Sequence, residues 1–280
     1  MKIITLVDNR SESESLETEH GLSLYIQTSD NQKILYDTGK SDLFMRNAEK
    51  LGIDLSKIDR VVISHGHYDH IGGLLYFFKI NKSAKIYLNA TIFDYEYFSV
   101  KEGIKKMNGF SSELSEYSER FILLNKNIRF EKICFITDIY HTYNLPKGNK
   151  ILYRQNDGIE ELDDFSHELI LVIDTEQGLC VFTGCGHNGV LNIISTVQKV
   201  IPEKQIVCLY GGFHLIDSND SVRTESQEEL KQIAHELTNL LPTAQFYTGH
   251  CTGSSAFDIL KGEMGNKLEG FYVGKEVVLY

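Results

Sequence analysis

Ser64-His65-Gly66-His67-Tyr68-Asp69-His70-Ile71-Gly72-Gly73 sets three histidines and a carboxylate within six residues, directly after the apolar run Val61-Val62-Ile63. Imidazole suits transition metals, and a carboxylate suits a harder ion or a water. His65, His67, Asp69 and His70 offer more donors than one open tetrahedral site takes, so the stretch predicts two metals. Surface histidines in water are the plainer reading, and the H-x-H-x-D-H spacing argues against it. Arg60 to Ile63 reads as a buried strand that delivers the motif to a loop, and Leu74 to Phe78 as a helix that the two glycines let follow tightly.

Upstream, Lys2 to Val7, Leu22 to Thr28 and Lys33 to Tyr36 read as short strands. Asp37 closes the third, where α/β proteins often carry a functional carboxylate. Ser41 is placed to cap a helix with Leu43, Phe44, Ala48 and Leu51 at helical spacing. Ser11 to Glu19 reads as a solvated loop whose end, Glu19-His20-Gly21, can fold back over a site.

Downstream, strands are expected at Lys85 to Leu88, Phe121 to Leu124 and Cys134 to Thr137. The pattern is weak between about 90 and 165, which reads as an insertion or lid within a single domain over 1–280. The second half repeats strand, glycine turn and helix. Leu169 to Asp174 and Leu179 to Thr183 form a hairpin, and Gly184-Cys185-Gly186-His187 then leads into a helix through Val200. Gln205 to Tyr210 leads into Gly211-Gly212-Phe213-His214, and a helix over Thr224 to Leu240 follows. Phe246 to Thr248 leads into Gly249-His250-Cys251-Thr252-Gly253, a further helix reaches Leu260, and Tyr272 to Leu279 closes as one strand.

His187, His214 and His250 each follow a strand and a glycine turn, as His65 does, and strand-end loops in a layered α/β fold converge on one edge. They are candidates to complete a metal shell. His235 lies on the polar side of a helix; His141 and His167 fall in the weakly patterned middle and stay outside the candidate set. Lys147, Lys150 and Arg154 sit among turn residues, either solvated or able to meet an anion.

With 280 residues, 42% hydrophobic and 24% charged, the composition is that of a globular chain and excludes disorder. A net charge of −11 disfavours nucleic acid as a partner. No apolar run is long enough to span a membrane, and the strand-like start lacks a signal peptide's apolar core, so a cytoplasmic location is expected. Five cysteines without C-x-x-C spacing indicate neither a disulfide framework nor a zinc knuckle.

The series Asp37, His65-x-His67-x-Asp69-His70, His187 and His250 resembles the metallo-β-lactamase superfamily over essentially the whole chain. Glu19-His20-Gly21-Leu22-Ser23, Thr183-Gly184-Cys185-Gly186-His187, Gly211-Gly212-Phe213-His214-Leu215 and Gly249-His250-Cys251-Thr252-Gly253 resemble one branch of it. That branch holds the 7,8-dihydropterin-6-methyl-4-(β-D-ribofuranosyl)aminobenzene 5′-phosphate synthase-like metal-dependent hydrolases. The resemblance implies an α/β, four-layer αββα sandwich with metals at one edge of the sheets. It implies a first metal on His65, His67 and His187, and a second on Asp69, His70 and His250, with Asp37 orienting the motif and Glu19 and His20 at the substrate rim. Where the superfamily usually has a bridging Asp, this chain has Cys185, which either binds or bridges an ion as a thiolate or is merely adjacent. Two transition-metal ions are expected, zinc first, with iron or manganese as alternatives.

Such a site implies a hydrolase in which a metal-activated water attacks a small anionic, ester or phosphoester metabolite, with Asp69 handling the water's proton. His214 is then either a substrate contact and proton donor or a loop brace. The branch name implies a transferase instead, with Lys40, Lys147, Arg154 and Arg223 as candidate phosphate contacts. A non-catalytic, metal-bound ligand sensor is the third reading.

Overall fold

In the computed structural model, which describes residues 1–279, the short strands assemble into two seven-stranded sheets. The first runs, in spatial order, Glu276–Val278, Lys2–Val7, Ser23–Gln27, Lys33–Tyr36, Arg60–Val62, Lys85–Asn89 and Phe121–Leu124. The second runs Leu268–Gly270, Gln245–Thr248, Ile206–Tyr210, Leu179–Phe182, Ile170–Asp174, Ile133–Ile136 and Ile128–Phe130. Each sheet has three antiparallel pairings and three parallel ones, so the two halves of the chain repeat one plan.

Both faces of these strands are apolar because both are covered. In Lys2–Val7, Ile3 points into the layer between the sheets, while Ile4 and Leu6 point to the helices outside. Leu43–Lys50 and Leu74–Ile80 cover the first sheet, and Val190–Val200, Gln227–Leu240 and Ser254–Met264 cover the second. The result is the expected αββα order. Between the sheets Tyr36, Phe182 and Tyr210 are fully buried, and the Tyr36 hydroxyl donates to the Phe182 carbonyl at 3.2 Å, tying one sheet to the other.

Several boundaries differ from the sequence reading for identifiable reasons. The last stretch is two strands: a turn at Tyr272–Lys275, with Gly274 at φ 87°, sends Leu268–Gly270 to the second sheet and Glu276–Val278 to the first. The long helix starts at Gln227 because Ser226 and Glu229 form a reciprocal cap there. The helix after Ser41 has Asp42 at its N-cap, although the Ser41 hydroxyl does accept from Leu43 N. Within 90–165, Phe121–Leu124 and Ile133–Ile136 belong to the main sheets. A separate four-stranded antiparallel sheet is built from Ile159–Leu162, Leu152–Asn156, Glu96–Lys101 and Ile104–Met107, in that order.

Phe182→Ala should lower the unfolding free energy by about 3–5 kcal/mol, because the ring is fully enclosed between two sheets that have little freedom to close the gap. Denaturant melts check this, and a loss below about 1 kcal/mol would mean that the inter-sheet layer does not depend on that ring.

Candidate metal centre

Five loops, each leaving the carboxyl end of a strand that takes part in a parallel pairing, carry the donors to one edge of the sandwich. Asp37 follows Lys33–Tyr36, the His65–His70 loop follows Arg60–Val62, and Cys185 and His187 follow Leu179–Phe182. His214 follows Ile206–Tyr210, and His250 follows Gln245–Thr248. The loops pack closely enough to require glycine: a Cβ on Gly184 would lie 2.1 Å from Ser64 Oγ, and one on Gly148 would lie 2.9 Å from His214 Nε2.

Hydrogen-bond directions assign the free nitrogen of His65, His70 and His187. Ser64 Oγ donates to Asp37 Oδ2 at 2.7 Å, so it accepts from His65 Nδ1 at 2.9 Å, leaving His65 Nε2 with its lone pair. His70 Nδ1 donates to Asp37 Oδ2 at 2.6 Å, which leaves Nε2. His187 Nδ1 donates to Asn149 Oδ1 at 3.0 Å, while Asn149 Nδ2 donates to the His187 carbonyl at 2.8 Å. His187 Nε2 is then buried with no partner. His250 Nδ1 lies 3.4 Å from Asn9 Oδ1.

The free nitrogens meet. His65 Nε2 is 3.1 Å from His67 Nδ1, with the His187 ring centroid 4.9 Å from each of those two rings. His70 Nε2 is 3.0 Å from His250 Nε2, and Asp69 Oδ2 lies 3.7 and 3.4 Å from them. Cys185 Sγ is 3.2 Å from His70 Nε2 and 3.3 Å from His250 Nε2, and it also falls within one ligand-sized cluster with His65 and His187. Lone pairs facing one another at these distances, with an orphaned imidazole nitrogen and a thiol beside them, fit transition-metal ions.

The remaining expected residues are placed as follows. Asp37 is fully buried and accepts from Ser64 N, Ser64 Oγ and His70 Nδ1. His20 is half exposed at the rim, 3.2 Å from Asp69 Oδ2 and stacked on His250. Glu19, expected beside it, instead turns away: its carboxylate accepts from Lys40 N and Ser41 Oγ and fixes that turn. His214 has both nitrogens buried without a partner and lies against His187, with ring centroids 4.1 Å apart. Lys147, Arg154 and Arg223 are each paired with a carboxylate: Glu229, Asp164 and Asp220.

Residues the sequence reading passed over support the ligands from behind. His167 Nδ1 accepts from Gly66 N at 3.0 Å, and Asp163 joins it. Glu168 accepts from the amides of His187 and Asn188, and Asp8 from that of His250. The D-x-x-x-H spacing of Asp163 and His167 was the one local signal. His141 reaches Asn188 from an exposed position outside the cluster.

A cavity of about 340 Å³ opens onto the donors, lined also by Tyr68, Ser99, Asn108, Ile151 and Asp217. Among the described residues no lysine or arginine lines it. Burial, reinforced by His167, pushes His67 down to about 3; burial likewise pushes His250 down to about 4 and His65 and His187 well below the ordinary value. For Asp69 burial works upward, but His70, His250 and His20 outweigh it and hold the carboxyl at about 2. Burial raises Asp8 to about 6.

The chain has the metallo-β-lactamase fold, and the family model of the metallo-β-lactamase superfamily matches its residues 17–149. It is similar over nearly its whole length to a 7,8-dihydropterin-6-methyl-4-(β-D-ribofuranosyl)-aminobenzene-5′-phosphate synthase from Methanocaldococcus jannaschii. The two are 28% identical over 98% of this chain and 95% of that protein. The crystal structure of a metal-dependent hydrolase of the β-lactamase superfamily matches with a TM-score of 0.81 at 29% identity, covering 100% of this chain and 99% of that one. Zn²⁺-bound PqqB from Methylobacterium extorquens shares the fold with a TM-score of 0.59 at 10% identity, over 100% of both chains.

The depressed histidines make a stability prediction. Their native pKa values lie below the ordinary 6.5, so the stability they contribute is complete above pH 6.5 and is lost as pH falls toward about 4 for His250 and about 3 for His67. Raised Asp8 acts in the opposite sense, favouring the fold as pH falls from about 6 to 3.8, and burial raises Glu168 in the same sense. His70 opposes the depressed histidines too, because Asp37 and Asp69 outweigh its burial and raise it. Urea melts of chelator-stripped protein should therefore show stability falling below pH 6.5, and a His67→Asn/His250→Asn double variant should show a shallower fall.

Proposed function

We propose that the chain is a hydrolase that uses two transition-metal ions, zinc first, to cleave a small ester or phosphoester metabolite. The observation that carries this reading is the convergence of five imidazoles, a carboxylate and a thiol, with their free donor atoms aimed at one edge cavity. His65, His67 and His187 would hold one ion and Asp69, His70 and His250 the other, with Cys185 reaching both. Bound metal supplies a water that ionises near neutral pH and positive charge for the oxyanion that develops.

The chain's own residues do the rest. Asp69 stays a carboxylate beside three histidines and is placed to take a proton from the attacking water. His214, on the cavity wall with both nitrogens unpartnered, is the proton donor to the leaving group. Ser99, Asn108 and Leu152, from the four-stranded sheet and its connections, line the cavity opposite the donors and select the substrate. A reduced, cytoplasmic setting belongs to the same reading, since all five cysteines are free and buried and a ligating thiol needs reduction. Among the described residues no helix is long and apolar enough to cross a membrane.

A synthase is the second reading, favoured by the similarity along the full length of the archaeal relative. Against it stands the cavity lining, which among the described residues holds no lysine or arginine for a phosphoribosyl donor; of the four candidates, Lys147, Arg154 and Arg223 face carboxylates and Lys40 lies outside the lining.

Metal-loaded protein should turn over at least one member of a panel of esters, lactones, phosphodiesters and phosphomonoesters. Asp69→Asn should lower that rate by about 10²–10⁴-fold, and chelation should abolish it. Full metal loading with no turnover on any member would sink the hydrolase reading. Pyrophosphate release from a phosphoribosyl donor and an aminobenzoate would install the synthase in its place.

A further inference from the structure

The stretch Asp163-Asp164-Phe165-Ser166-His167-Glu168 leaves the four-stranded sheet and enters the strand Ile170–Asp174, and on the way it passes behind one group of histidines only. His167 Nδ1 accepts from Gly66 N at 3.0 Å, so its proton sits on Nε2, which donates to Asp163 Oδ2 at 3.1 Å. The same carboxylate oxygen lies 3.9 Å from His67 Nε2, the nitrogen on the far side of the ring from His65. Asp163 Oδ1 accepts from Phe165 N at 2.8 Å and folds the stretch into a bracket, with Phe165 in the left-handed region at φ 56°.

The bracket continues to the third histidine. The Phe165 ring lies parallel to His187, with centroids 4.4 Å apart and planes 6° from each other. Glu168, fully buried, accepts from His187 N at 2.9 Å with one oxygen and from Asn188 N and Nδ2 at 3.0 and 2.7 Å with the other. Immediately after it, Leu169 N donates to the carbonyl of Ser64, the neighbour of His65. The cluster of His67, Asp163 and His167 has the spacing of a third metal site, but both nitrogens of His167 are engaged, one receiving and one donating. It is a support.

The other donor group has a different frame. His70 is held by Asp37, and His250 by Asp8 and Asn9, all three from loops at strand ends of the first sheet. Among the described residues, none in 163–168 hydrogen-bonds to Asp69, His70 or His250. We infer that residues 163–168 are a dedicated outer support for the His65, His67 and His187 position, so that this position can be weakened while that of Asp69, His70 and His250 is left intact. Asp163, Phe165 and Glu168 are its positioning residues. The inference rests on the metal-site reading above, though not on which reaction the site catalyses.

Outer partners of metal-bound histidines typically set affinity by about 10–100-fold. Metal-free protein titrated with zinc against a competing chelator should take up two equivalents. Asp163→Asn and Glu168→Gln should each keep one equivalent at wild-type affinity and weaken the other by about 10–100-fold. Anomalous scattering from crystals of the variant should place the retained ion at Asp69, His70 and His250. Asp8→Asn, which removes the carboxylate that accepts from His250 N, should give the mirror result. Melting of the metal-free variants checks folding, and Phe165→Leu, which removes only the ring stacked on His187, serves if either carboxylate variant fails to fold. Equal weakening of both equivalents, or of neither, overturns the inference. A wild-type protein that binds no zinc overturns the metal reading beneath it as well.

Discussion

The carboxylate of Asp37 is where sheet, loop and site meet. It is fully buried, and it accepts from the Ser64 amide, the Ser64 hydroxyl and His70 Nδ1. A buried carboxylate is tolerable only with donors on its oxygens, and here those donors are the first residues of the histidine loop. One interaction therefore anchors the loop to the neighbouring strand end, fixes the tautomer of His70 directly, and fixes that of His65 through Ser64. With this carboxylate absent, the Nε2 atoms of both rings would have no assigned direction.

From that anchor the twofold plan of the chain becomes functional. Each sheet pairs strands in parallel at the end where the loops bear histidine, so carboxyl ends from both halves point to the same edge. The Tyr36, Phe182 and Tyr210 layer holds the two edges in register. Rigidity there matters, because donor atoms about 3 Å apart belong to loops more than a hundred residues apart in sequence.

The four-stranded sheet has two relations to the site. Ser99 and Leu152 line the cavity on one side, and the exit from strand Ile159–Leu162 passes behind His67 and His187 on the other. Cavity wall and histidine support thus share one element. Among the described residues the cavity lining holds imidazoles and no lysine or arginine.

Much of this was legible in the residues alone. Short strands ending in glycine turns, with a histidine after each, are local features that brought His65, His67, Asp69, His70, Cys185, His187, His214 and His250 into one candidate set, and the family resemblance their motifs carry implied the layers. What the sequence could not carry was direction across distance. Glu19 stands beside His20 in the chain, yet its carboxylate faces Lys40 and Ser41 while His20 faces Asp69. His167 sits in the weakest part of the pattern, and its role arises from a hydrogen bond to Gly66, 101 residues away. Arg154 reads as either solvated or able to meet an anion, and it is instead engaged by Glu161 and Asp164. Periodicity and spacing report which face of a strand is buried and where it ends, and so determined the elements and the donor types, while the order of the layers came through the family resemblance. Which nitrogen is free, which charge is already paired and which ligand has an outer support depend on contacts between distant segments, and only tertiary structure decided them.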